Sequence, residues 1–454
     1  MDVKENILET IGNTPLVRLN KIGQEVPCGL IAKVESFNPG GSVKDRIGVA
    51  MIKAAEAEGR LKPGGTIVEC TSGNTGMGLA LAAVVMGYKA VFTMPDKMSL
   101  EKINLLKAVG AEVFVAPTAV PADSPESYYK VAERIVEETP NSYHTNQYHN
   151  QANPLSHYKS TGPELWEQTK GKITHFIAGL GTGGTISGTG KYLKEKNPDI
   201  KVIGVDPDGS ILKDYFYTKK ITEARPYKVE GVGEDIIPTS THFEYIDEVV
   251  RVSDQECFTY ARRAAREEGI LVGGSCGLAL AGAVKALRDA PADAVAIVLL
   301  PDTGERYLSK LYNDEWMRDN GFLEPESVHI ADILSAKSRS MPNLVSVEPT
   351  DPVQKAIDLV REHDVSFIPV IEGDTVRGTL SENRLMRGVF ENPEILTQPA
   401  KDVMSPPLST LTAKDSVKAA IRALADKNPA VLVMENNRPV GILTRTDVIG
   451  FISK

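Results

Sequence analysis

One lysine, one hydroxyl-rich turn, one glycine-threonine loop and one serine in a glycine turn are the residues of this 454-residue sequence whose types and spacing could do chemistry. In ESFNPGGSVKDR (35–46) an extended run passes Asn38, Pro39, Gly40 and Gly41 and feeds a helix with Lys44 in its first turn. A helix N-terminus and partial burial both disfavour an ammonium, so a lysine there tends to the neutral amine that attacks an aldehyde. Read without that context it is a solvated surface group. CTSGNTG (70–76) again reads as strand, tight turn, helix. The hydroxyls of Thr71, Ser72 and Thr75 and the free amides of that helix start suit a carboxylate, or they simply cap the helix. In GLGTGGTISG (179–188), Gly181, Thr182, Gly183, Gly184 and Thr185 open another helix and suit a phosphate; no Gly-Lys-Ser or Gly-Lys-Thr follows, so this is no Walker loop. Residues 273–277 of GILVGGSCG form a GxSxG pattern around Ser275, the mark of a serine hydrolase in a strand-turn-helix setting. Such an enzyme also needs an acid, for which Asp302 could serve, and then a histidine, of which His329 and His363 are the first on offer. A lysine, a carboxylate cradle, a phosphate cradle and a buried serine, all expected at strand ends of a single sheet, are what pyridoxal phosphate and an amino acid require.

The elements that must position these groups are legible in the rhythm of the chain. Between about 28 and 302, short β-branched runs (GLIAKVE, TIVECT, AVFTMP, EVFVAP, THFIAGL, KVIGVD, AVAIVLLPD) alternate with helical patterns at 75–86, 127–138, 254–268 and 277–288. Alternation of this kind predicts an α/β fold, doubly wound about a mainly parallel sheet, with ligands at the C-terminal edges of the strands. A Pro-containing acidic stretch marks a boundary near 325. Beyond it the chain repeats itself: Met341 and Met404, and Gly378 and Gly441, are each 63 residues apart. Each copy reads as a β-α-β-β-α unit that needs its twin to cover its sheet. The predicted domains are therefore 1–325, 326–395 and 396–454.

Composition narrows the function classes. A net charge of −9 argues against nucleic acid or an anionic membrane as partner. Cys28, Cys70, Cys257 and Cys276 are scattered, with no CxxC pair, which predicts reduced thiols, no structural metal and a cytoplasmic location. The N-terminus carries no signal-peptide pattern, and no run approaches the roughly 18 apolar residues of a spanning helix.

The motifs IGNTPLVRLNKIG (11–23), NPGGSVKDRI (38–47), TSGNTGMGLALA (71–82), MPDKMSLEK (94–102), DSPES (123–127), GTGGTISG (181–188), GVDPDGSIL (204–212) and EGVGEDIIPT (230–239) resemble those of the fold-type II pyridoxal-phosphate enzymes, in the cystathionine β-synthase and cysteine synthase family. The resemblance covers nearly the whole chain, and the repeat pair resembles a Bateman module of tandem CBS repeats. It implies that Lys44 holds the cofactor and moves the substrate α-proton, that Asn74 bonds the ring oxygen, that Gly181–Thr185 cradle the phosphate, and that Ser275 faces the ring nitrogen. It further implies that Thr71, Ser72, Thr75 and Gln147 take the substrate carboxylate. A serine at the ring nitrogen makes a weaker electron sink than an aspartate and favours prompt loss of a β-substituent. The implied reaction is β-replacement, condensing L-serine with L-homocysteine to L-cystathionine. The alternative is O-acetylserine or O-phosphoserine with sulfide; more distant are the serine hydrolase and an adenosyl-ligand sensor with an inactive catalytic domain.

The chain also departs from the animal members of the family. No haem-binding N-terminal extension is seen, so no haem is predicted, and their CxxC is missing. Glu234, after Gly233, stands where they carry tyrosine, and is either a reader of the homocysteine ammonium or a solvated loop residue. In the second repeat Thr444 and Asp447 occupy the ribose-binding places of a Bateman module, for S-adenosylmethionine or an adenine nucleotide, whereas the first repeat has Arg384 there; the module could instead serve assembly alone. A homodimer or higher oligomer is expected. Tyr128, Tyr129, Trp166 and Met77 read as packing residues within helical patterns.

Overall fold

The structure, a computed structural model, describes residues 1, 3–71, 73–96, 98–117, 119–121, 124–323, 329–337, 344–425 and 428–452. It divides into two compact units, Met1–Leu323 and Glu324–Lys454. Among the described residues no helix is long and apolar enough to cross a membrane.

The first unit is built on the strands β1 (Leu16–Leu19), β2 (Leu30–Val34), β3 (Thr66–Cys70), β4 (Lys89–Pro95), β5 (Glu112–Ala116), β6 (Ser142–His144), β7 (His175–Gly179), β8 (Lys201–Pro207), β9 (Glu248–Val252) and β10 (Ala296–Leu300). Every β-branched run read from the sequence is a strand. They do not form the single sheet expected. A six-stranded sheet runs β1-β2-β10-β7-β8-β9 and a four-stranded one β5-β4-β3-β6. All pairs are parallel except β1 with β2. Lys44 and the glycine-threonine loop follow strands of the larger sheet, and the CTSGNTG turn follows β3 of the smaller. Periodicity reports that a segment is a strand but not which neighbour it pairs with, so the partition is invisible locally.

Two features join the sheets at the site. The helix Lys44–Ala57 packs on the helix Asn74–Met86 through Gly48 and Gly78, and a Cβ on Gly78 would collide with the Lys44 carbonyl. Only a glycine at that crossing lets the backbones bearing Lys44 and Asn74 approach so closely. Beneath the first of these helices Arg46 pairs with Glu35 (2.7 Å) and Glu164 (2.7 Å), while the fully buried Lys33 pairs with Glu164 (2.9 Å) and donates to the Thr14 carbonyl (2.7 Å). Such a network tolerates burial because its charges are matched and hydrogen-bonded, and it ties the start of the chain to the helix of Lys44.

In the second unit the repeat is visible in the register. Val370 opposes Gly378 in one hairpin and Val433 opposes Gly441 in the other, each followed by a shift of register one residue on. The helix Ile330–Ala336 opens the first repeat, yet Ile330, Ile333 and Leu334 lie in one core with Val417, Ala420, Val431 and Leu443 of the second. Reciprocally, Ala400 and Val403 lie with Val353, Ile368 and Leu380 of the first. Neither copy's core is therefore complete without a helix from across the repeat boundary.

Candidate active site

Lys44 is the first residue of its helix, half-buried, with its amide bonded to Ser42 Oγ (3.2 Å). Burial lowers the pKa of its amine, against the opposing pull of the Glu234 and Asp302 carboxyls. Ser42 itself bridges to Asp302 in a short antiparallel contact. Asp302, two residues past β10, is fully buried and gathers the site: its Oδ2 accepts from Asn74 Nδ2 (2.7 Å) and from the Tyr307 hydroxyl (2.6 Å), and its Oδ1 is 3.5 Å from Ser275 Oγ. Arg306 donates to Asn74 Oδ1 and to the Gly40 carbonyl.

The glycine-threonine loop has its own scaffold. Gly183 sits at φ 79°, a conformation that L side chains rarely adopt, and a Cβ there would collide with Thr241. Ser240 Oγ (2.6 Å) and Thr241 Oγ1 (3.1 Å) donate to the Thr182 carbonyl, and Asn153 Nδ2 is 3.1 Å from Thr182 Oγ1. The Thr185 hydroxyl lies 3.2 Å from His157 Nε2. The loop thus leads into the helix Gly184–Lys196, and a glycine-lined turn opening on the first amides of a helix fits a phosphate.

At the CTSGNTG turn, Thr71 Oγ1 accepts from the amides of Gly73 (3.0 Å) and Gly76 (3.1 Å), and Thr75 Oγ1 donates to Gln147 Oε1 (2.6 Å). The Thr71 oxygen therefore caps the helix, which leaves its proton free to meet a carboxylate; capping and anion binding are compatible. Ser72 lies outside the described residues. Behind Gln147, the fully buried Glu69 accepts from Thr145 Oγ1, and burial pushes its carboxyl up to about 8.

Glu234 is half-buried, its amide bonded to Ser210 Oγ (3.0 Å) and its carboxyl 3.7 Å from where a Cβ on Gly181 would stand. Burial foremost, then Asp235, pushes that carboxyl up to about 8 against the pull of Lys44. Gly233 holds φ 74° and its amide bonds the Leu180 carbonyl (2.6 Å). Burial foremost raises the phenol pKa values of Tyr128, Tyr129 and Tyr227, and the Glu234 charge adds to it, whereas for Tyr148 the Glu234 charge comes first and burial second. Tyr128 and Tyr129 pack as the sequence reading expected, against the core of Val68, Cys70, Val91 and Ala132.

Ser275 is the second residue of the helix Gly274–Ala286, but a strand does not precede that helix: Val272 makes only an isolated bridge with Thr303. The GxSxG match therefore lacks its strand-turn-helix setting, and the hydrogen bonds described for Ser275 and Asp302 include no histidine. Asp302 adjoins Ser275 directly, whereas a triad places its imidazole between them.

Together the lysine of lowered basicity, the glycine-lined anion loop and the amide of Asn74 fit pyridoxal phosphate. A family profile described as pyridoxal-phosphate dependent enzyme matches residues 7–302, and one described as CBS domain matches 330–391 and 400–454. The whole chain is 39% identical to a cystathionine beta-synthase of Dictyostelium discoideum, covering 93% of that protein. The chain belongs to the cystathionine beta-synthase family of pyridoxal-phosphate-dependent enzymes. Cystathionine beta-synthases of Apis mellifera (40% identical, 91% covered) and Saccharomyces cerevisiae (35%, 98% covered) also match over all of this chain. Among solved structures, an O-ureido-L-serine synthase superposes with a TM-score of 0.63 at 36% identity, over 70% of this chain and 99% of that one. The family's cofactor is pyridoxal phosphate, and the fold is that of a fold-type II enzyme with an appended tandem CBS domain.

The sequence reading missed Asp302 as a partner of Asn74, and it missed Arg306, Asn153, Tyr148 and Glu69. For Asp302 a signal existed, because an acid just past a strand's C-terminal edge stands where α/β ligand sites form. In the second unit Asp447 Oδ2 accepts from the Thr444 amide (2.7 Å) and hydroxyl (2.7 Å) and pairs with Lys337 (3.0 Å), while Arg384 Nε donates to the Val403 carbonyl (2.7 Å).

Proposed function

We propose that the first unit condenses L-serine with L-homocysteine to L-cystathionine by β-replacement. The observation that carries this reading is the weakly basic amine of Lys44 opposite the Glu234 carboxyl, at a site whose loops suit a phosphate and a carboxylate. Full-length similarity to cystathionine beta-synthases supports the choice of substrates. Pyridoxal phosphate, when bound, supplies the electron sink that acidifies the substrate's Cα-H. Gly181, Thr182, Gly183, Gly184 and Thr185 would hold its phosphate, Asn74 its ring oxygen and Ser275 its ring nitrogen. Thr71, Ser72, Thr75 and Gln147 hold the serine carboxylate. Lys44 would hold the cofactor and, once the serine amine has displaced it, its freed amine would take the proton from the serine Cα and return it to the departing β-oxygen, which as hydroxide would leave poorly.

Gly233 and Glu234 receive the second substrate, with the Glu234 carboxylate on the homocysteine ammonium. Product identification by mass spectrometry tests the pairing: L-serine plus L-homocysteine should give cystathionine faster than O-acetylserine plus sulfide gives cysteine, and the reverse order overturns it. Glu234→Gln should raise the KM for homocysteine about 10- to 100-fold, the value of a charge-assisted hydrogen bond, and spare that for serine. Because the carboxyl is pushed up to about 8, its charged form grows as pH rises from neutrality. Relative to Glu234→Gln, the wild-type KM for homocysteine should therefore fall between pH 7 and 8.

The second unit is proposed to take an adenosyl ligand, S-adenosylmethionine or an adenine nucleotide, through Thr444 and Asp447. Asp447→Ala should abolish the heat of binding seen by calorimetry with either ligand. Equal heats from variant and wild type would place the ligand elsewhere.

A further inference from the structure

Asp302 is not among the residues assigned to the cofactor or substrates, yet it touches two of them and has no contact with solvent. A carboxylate can only accept hydrogen bonds and a guanidinium can only donate them. The Asn74 amide lies between one of each: its nitrogen faces Asp302 Oδ2 at 2.7 Å and its oxygen faces Arg306. Flipping that amide would set an oxygen against a carboxylate and an NH2 against a guanidinium, so the pair leaves it one orientation. The amide nitrogen carries two hydrogens, and Asp302 consumes one. The second is available to the ring oxygen, which needs a donor there. Tyr307, donating to the same Oδ2 at 2.6 Å, holds the carboxylate in place, and Arg306 extends the lock to the Gly40 carbonyl just before Lys44. The other oxygen of Asp302 is 3.5 Å from Ser275 Oγ and 3.6 Å from Cys276 Sγ, at the start of the helix that would face the ring nitrogen.

We propose that Asp302 is a positioning residue that presents the Asn74 amide to the cofactor's ring oxygen while abutting Ser275, with Arg306 as the second half of the lock on Asn74. This rests on the reading that Asn74 and Ser275 meet the ring. An asparagine at 302 offers either an amide or a carbonyl to Asn74 and no longer forces its orientation.

The test is titration of the full-length apoenzyme with pyridoxal phosphate, following the visible absorption band and the dissociation constant, with the thermal midpoint of each apo variant as the control for folding. Asp302→Asn should weaken cofactor binding about 10-fold and shift the band, as expected for one lost hydrogen bond to a charged group. Arg306→Met should shift the band in the same direction from the other side of the lock. In an Asn74→Ala/Ser275→Ala background, Asp302→Asn should change the dissociation constant less than about two-fold, because its partners are gone. A folded Asp302→Asn with wild-type affinity and band overturns the proposal, as does a full 10-fold loss that persists in that background, which would locate the effect in the scaffold. If Asn74→Ala/Ser275→Ala itself keeps the wild-type band and affinity, the assignment of those two residues to the ring is what fails, and the positioning role falls with it.

Discussion

Replacing Lys44 by alanine should lower turnover by more than about 10⁴-fold, the scale on which removing the group at the centre of a covalent mechanism acts, and should erase the visible absorbance of the bound cofactor. The structure shows why no neighbour substitutes. Lys33 is committed to Glu164, Gln168 and the Thr14 carbonyl, and Lys102 is paired with Glu230. Among the described residues Lys44 makes no such pair: its amine is buried enough to lose basicity, and the Glu234 and Asp302 carboxyls limit that loss. Lys44→Arg is the informative companion, because it keeps a cation in the same place yet offers no nucleophile at neutral pH. Loss of both rate and absorbance in alanine and arginine variants alike assigns the role to the amine. An alanine variant with unchanged spectrum and rate removes the assignment altogether.

Gly183→Ala should be the second most damaging substitution. Its φ of 79° costs a residue with a Cβ about 1–2 kcal/mol, and forcing that Cβ into Thr241 adds overpacking of a further 1–3 kcal/mol. Thr241 cannot retreat freely, since its hydroxyl and that of Ser240 hold the Thr182 carbonyl. The expected result is a cofactor affinity lower by about 100-fold, equivalent to about 3 kcal/mol, with cofactor lost on gel filtration. Gly231→Ala separates the two causes: Gly231 holds φ 78° but a Cβ there would meet nothing within 4 Å, so it incurs the backbone strain without the collision. If the two alanine variants retain cofactor equally well, the loop does not depend on that close packing.

The sequence by itself determined the local pieces. The β-branched runs became strands because stiff χ1 angles and continuous apolar stretches, suited to strands buried on both faces, act within a few residues, and the helix starts at Lys44, Asn74, Gly184 and Gly274 follow glycine-rich turns. The 63-residue repeat is equally local, and it reappears as the same register shift in both hairpins. The tertiary structure alone decided what those pieces face. β2 pairs with β10 across more than half the chain, leaving β3 to a different sheet, and the Asn74 amide meets Asp302 at a separation of 228 residues. Likewise the helix Ile330–Ala336 completes a core beyond its own repeat. Periodicity and capping are properties of a segment, whereas pairing, amide orientation and shared cores depend on which distant surfaces exclude water together, and that choice is made only by the whole fold.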